Sequence, residues 1–143
     1  MKSVYGWDNE FGFHQAQIDC FEINERLISN KDFLKFMVDG GYAKKSLWSA
    51  EGWKWVEESK STMPKWWIHK HPLESILTKQ FVTRLMLSET ETMPWSWPVE
   101  VNCHEATAYT VWLTAKTGKY TRLPTEDESY YLFKESCFDE DSN

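Results

Sequence analysis

Residues 102–118, NCHEATAYTVWLTAKTG, leave the chain little choice of local structure. Asn102 suits a helix N-cap, and Glu105 stands three positions on. At that spacing each side chain can accept from the other's backbone N–H, which closes a capping box. Ala106, Tyr109 and Leu113 then share one helical face, with Ala108 and Trp112 beside them, and Gly118 ends the helix. The stretch before it, MPWSWPVEV (93–101), resists helix formation. Pro94 and Pro98 fix their own φ and push the preceding residue toward extended backbone. A rigid entry is therefore expected, with residues 99–101 as a short strand. Trp95 and Trp97 either brace this entry against the loop at 60–72 or form a wall of a ligand site. Bracing is the favoured reading.

Similar punctuation recurs elsewhere. Ser29 or Asn30 can cap a helix through Phe33, Phe36 and Met37, which Gly40–Gly41 would stop. Ser49 can cap a second over LWSAEGWKWVEES (47–59), with Trp48, Gly52 and Val56 on one face. Thr125 and Glu128 stand in capping-box positions for a last helix. Residues 17–28 alternate well enough for a strand with a bulge, and YTRLP (120–124) reads as another. Residues 60–98 read as irregular, with a short helix near 74–87. Short strands, capped helices and long loops define an α+β domain.

With 143 residues the chain suits one domain of ordinary size, and 41% hydrophobic residues can fill a core. Nine Trp, six Tyr and eight Phe argue against disorder. A net charge of −6 gives no basic footprint for nucleic acid. No apolar run approaches the roughly 20 residues needed to cross a bilayer. The segment MKSVYGWDNE has no apolar signal-peptide centre, so a cytoplasmic location is expected. Cys20, Cys103 and Cys137 are far apart without a CxxC pair, which reads as reduced, mostly buried thiols. The final CFDEDSN reads as a solvated acidic tail.

Few residues carry a chemical signature. His69 and His71 would face the same side of a strand and could share a metal, although loop histidines are the plainer reading. His14 stands isolated, and His104 should pack or cap in the first turn of its helix. The cluster WDNE (7–10) suits an N-terminal turn better than an acid–base pair. Arg84 and Arg122 could meet an anionic substrate, although Arg122 more simply pairs with a carboxylate such as Glu126. No glycine-rich phosphate loop or GxSxG elbow is present.

The order of segments says more. GWDNEFG, ISNKDFLKFMVDGGY, LWSAEGWKW, MPWSWPVEVNCHEATAYTVW and TGKYTRLPTEDE follow one another along the chain. Together, over about residues 5–130, they resemble the first half of a formylglycine-generating-enzyme-like domain, also called the sulfatase-modifying-factor domain. RLPTE after an EA..Y..W helix is the superfamily's signature. GWDNEFG, LWS.EGW.W and MPW.WPVEVN together resemble the version in ovothiol-type sulfoxide synthases (5-histidylcysteine sulfoxide synthases), with the ergothioneine enzymes as near relatives. Thr110 stands where the family usually has Cys, and DESYY replaces its AEW after LPTE.

The resemblance implies a C-type-lectin-like α+β fold, here incomplete: residues 1–132 as a partial domain and 133–143 as an acidic tail. It implies an iron(II)- and oxygen-dependent enzyme that joins cysteine sulfur to histidine as a sulfoxide. In that family three histidines of a separate DinB-like domain hold the iron, and substrate residues lie mainly in the second half of the lectin-like domain. Both would be partners of this chain. No catalytic residue or metal ligand carries over, and no cofactor is expected on the chain alone. The weak substrate candidates are Trp95, Trp97 and Arg84; the weak metal candidates are His69 and His71. The leading expectation is a partial synthase, inactive alone. The alternative is a non-enzymatic lectin-like binding or interaction module, with Trp66, Trp67, Trp95 and Trp97 as a ligand wall.

Overall fold

The computed structural model describes residues 15–70, 81–86 and 88–139, with side chains through 134. The chain divides into two compact units: Asn24–Leu123, and Met1–Ile23 together with Pro124–Asn143.

Within Asn24–Leu123, helix α1 spans Asn30–Val38 and two 3-10 turns follow, Gly41–Ala43 and Lys45–Leu47. Helix α2 is Ala50–Ser59, strands β1, β2 and β3 are Trp67–His69, Phe81–Leu85 and Ser88–Glu89, and helix α3 is Cys103–Thr117. The strands form one antiparallel sheet in the order β1-β2-β3. Trp67 pairs with Thr83 and His69 with Phe81.

The expected caps form. Ser29 Oγ accepts from the Asp32 N–H at 3.2 Å and Ser49 Oγ from the Gly52 N–H at 3.0 Å. Asn102 and Glu105 close the capping box of α3, each accepting at 2.9 Å. Such a cap stabilises its helix by about 1 kcal/mol. Gly40 ends the first helical segment in the left-handed region at φ 80°, where only glycine sits without strain. Gly52 serves a different purpose: a Cβ there would lie 3.3 Å from the Trp48 ring and 3.5 Å from the His104 Cβ. The missing side chain lets α2 approach its neighbours closely.

The core is aromatic and centres on Phe36, whose side chain is fully buried. The rings of Phe33, Tyr42, Trp48, Tyr109 and Trp112 stand 5.1–6.4 Å from it, mostly tilted or edge-on. Edge-on and tilted packing sets positive ring edges on negative faces. Helix α3 buries Glu105, Ala108, Tyr109 and Trp112, one stripe at helical spacing, while Ala106 and Leu113 are half-buried. The inward face is therefore rotated from the expected 106/109/113 stripe, because Glu105 is drawn inward by a partner described below.

Several expectations fail for local reasons. Residues 17–28 and 99–101 form no strand. The two segments do meet: Ser29 and Pro98 form an isolated antiparallel bridge, and the Val99 N–H donates to the Ile28 carbonyl at 2.9 Å. Proline has no N–H to extend that ladder. Residues 120–124 form no strand because the Thr114 hydroxyl binds the backbone N–H and carbonyl of Thr121 at 2.9 and 3.3 Å. Of the helix expected near 74–87, residues 74–80 and 87 lie outside the described residues, and Phe81–Leu85 is strand β2. Aromatic and β-branched Phe81, Val82 and Thr83 favour that pairing. Cys20 and Cys103 are free, as expected, but exposed rather than buried.

In the other unit helix α4 spans Glu126–Asp139. Thr125 and Glu128 form the expected reciprocal pair, at 2.7 and 3.2 Å. Residues 133–139, placed in the acidic tail by sequence, continue this helix.

Candidate functional site

The sheet separates the sequence-derived candidates. Side chains alternate across a strand, so Trp67, His69, Phe81 and Thr83 share one face and Val82 and Arg84 the other. On the first face Trp95 meets Trp67 edge-on at 5.9 Å and Phe81 at 6.5 Å. The His69 ring stands edge-on to Phe81 at 4.9 Å. Trp95 thus braces the Pro94–Pro98 entry against the 60–72 loop, as expected. Trp97, two residues on, does not: it is 51% exposed. Arg84, on the opposite face, pairs with Glu89 at 3.5 Å, near the end of the sheet. His71, His14 and the 7–10 cluster lie outside the described residues. His104 packs, with its ring 6.3 Å from Trp55.

The four tryptophans considered as one ligand wall are dispersed. Trp67 is core, Trp95 borders one surface groove, Trp66 borders another, and Trp97 borders neither. Among the described residues, no three His, Cys, Asp or Glu side chains come together to hold a metal ion. The described residues therefore do not fit an iron site.

Among the described residues, a groove and a cleft lie within Asn24–Leu123. A groove of about 1000 Å³ follows the seam between residues 26–32 and 93–98, bordered by Arg26, Leu27, Lys31, Trp95 and Pro98. A smaller cleft of about 560 Å³ lies between Trp55 and Trp66 and reaches the first turn of α3 at Asn102 and Glu105. In this cleft the Lys65 ammonium sits 4.7 Å above the Trp66 ring, an attraction between cation and π face.

Sequence reasoning missed the polar pair beside that cleft. The buried Tyr42 phenol donates to Oε1 of Glu105, while Oε2 accepts from the Asn102 N–H. Glu105 is only 2% exposed, and burial raises its carboxyl above the ordinary range despite the Tyr42 and Asn102 hydrogen bonds. Burial also pushes the Tyr42 phenol up, and the Glu105 charge adds to it. The capping-box spacing revealed one of the two functions of Glu105; nothing local in the sequence points to Tyr42.

Capped helices, a three-stranded antiparallel sheet and an aromatic core define an α+β class of fold. The chain belongs to the family of the sulfatase-modifying factor enzyme 1-like domain, whose profile matches residues 1–131. It is similar to the hercynine oxygenase of Mycolicibacterium thermoresistibile, 32% identical over 87% of this chain. The hercynine oxygenases of Mycobacterium tuberculosis and Mycolicibacterium smegmatis are 31% and 32% identical over 85% of it. The chain spans about a quarter of the length of these relatives. No described helix is long and apolar enough to cross a membrane.

Proposed function

We propose that the chain supplies part of the lectin-like scaffold of an iron- and oxygen-dependent sulfoxide synthase. The observation that carries this reading is its similarity to hercynine oxygenases along 85–87% of its length. The ovothiol-type segments GWDNEFG, LWS.EGW.W and MPW.WPVEVN favour histidine and cysteine as substrates over hercynine. In this reading the iron belongs to a DinB-like partner domain. Substrate contacts come mainly from the later half of the lectin-like domain. The free thiols Cys20 and Cys103 suit the reducing cytoplasm.

In this reading the chain holds a rigid platform, and its own residues perform no bond-making step. Purified chain with iron(II), cysteine and histidine should consume no oxygen and yield no sulfoxide by mass spectrometry. After dialysis against iron(II) it should retain no stoichiometric metal by elemental analysis. Sulfoxide formation by the chain alone would overturn the assignment of chemistry to partner domains.

A further inference from the structure

The groove between residues 26–32 and 93–98 has a chemistry that the proposed function does not use. Its floor is pre-organised. The Asn30 and Lys31 N–H groups donate to the Trp97 and Trp95 carbonyls at 2.9 and 3.0 Å, and the Asn30 side-chain amide donates to the Pro94 carbonyl at 2.9 Å. Two prolines stiffen one side, so little backbone freedom remains to be lost on binding.

Its lining combines two features. One is apolar: Leu27 is 78% exposed and stands beside Met93, Trp95 and the proline rings. The other is positive. Arg26 and Lys31 border the groove, and neither has an ion-pair partner among the described residues. The one carboxylate in the lining, Asp32, is already engaged by Lys35 at 2.8 Å and by the Ser29 hydroxyl at 2.6 Å. The groove is thus locally cationic on a chain of net charge −6.

We propose that this groove docks an extended segment of a partner protein that carries acidic side chains beside a large apolar one. The carboxylates would meet Arg26 and Lys31, and the apolar side chain would cover Leu27 and the edge of Trp95. At about 1000 Å³ the groove stands at the upper limit of small-molecule pockets, which suits a stretch of peptide better than a single metabolite. Nucleic acid fits less well, because two cations cannot offset the repulsion of phosphates by a chain this acidic.

The test uses the full chain and a fluorescein-labelled peptide of alternating glutamate and leucine, followed by anisotropy. Lysine/leucine and glutamate/glycine peptides and single-stranded oligothymidylate are the comparators. The glutamate/leucine peptide should bind most tightly of the four, and more weakly as salt is added. The double variant Arg26→Glu/Lys31→Glu should weaken it about tenfold or more, and Leu27→Asn about threefold or more. These positions are exposed, so the variants should melt like the parent; Arg26→Gln/Lys31→Gln provides a milder version of the same loss. Absence of binding, equal binding of any comparator, or indifference to the charge changes would overturn the proposal.

Discussion

The Tyr42 hydroxyl donates to the carboxylate of Glu105 across 63 residues of sequence. The contact ties the 3-10 turn after α1 to the first turn of α3. Removing the donor in Tyr42→Phe leaves a buried carboxylate oxygen without that partner. We expect a loss of about 1–3 kcal/mol in urea unfolding.

The same pair sets a pH signature. The raised pKa of Glu105 means that the folded chain keeps this proton to higher pH than the unfolded chain. Its stabilising contribution is full below the ordinary carboxylate pKa and is lost as pH rises through the raised value. Asp32 and Asp39 act oppositely. Hydrogen bonds from Lys35 and Ser29 lower Asp32, and those from Lys116 and Trp112 lower Asp39. Their contributions are present above the ordinary carboxylate pKa and fade as pH falls. Glu105→Gln cannot titrate at this site, so wild-type stability relative to the variant should decline with rising pH across the range above the ordinary carboxylate pKa. A constant difference across that range would mean that folding leaves the Glu105 pKa unchanged.

Phe36 is the residue whose truncation should matter most for the core. It is fully buried and touched by five aromatic rings. Phe36→Ala should cost about 3–5 kcal/mol, a large share of a typical 5–15 kcal/mol stability. Phe36→Leu fills more of the space and should cost less. Denaturant midpoints of the two variants check the order.

At Gly52 two effects compete. Helix propensity favours alanine by about 1 kcal/mol. The added Cβ, however, would meet the Trp48 ring at 3.3 Å, and that ring is buried and held by its N–H to the Gly41 carbonyl at 2.8 Å. We expect packing to win, so Gly52→Ala should melt at or below the parent temperature. A clear rise would show that α2 can shift.

Both described cysteines are exposed and free. Ellman's reagent should therefore label Cys20 and Cys103 in the native chain without denaturant, and Cys20→Ser and Cys103→Ser should each remove one fast equivalent. A native chain that reacts only after unfolding would contradict this exposure.

Legibility in the sequence followed the range of the forces involved. Ser29, Ser49, Asn102 and Thr125 were readable as caps because a cap is a contact between residues three apart. Trp95 was readable as a brace because prolines on both sides fix its backbone locally. The strands at 17–28, 99–101 and 120–124 were misread because strand formation depends on what lies alongside. Pro98 cannot extend one ladder, and Thr114 occupies the backbone groups of Thr121. Strand β2 was missed for the converse reason, since its partner Trp67–His69 is distant in sequence.

Local sequence determined where the helices begin and the Gly40 stop, because caps and glycine conformations are set within a single turn. Segment order identified the family, because it records what the whole chain resembles rather than any one contact. Only the tertiary structure decided that Glu105 faces inward to Tyr42, that Trp66, Trp67, Trp95 and Trp97 have different surroundings, and that Arg26 and Lys31 flank one groove. Each of these depends on which distant segments exclude water together, and no local propensity encodes that.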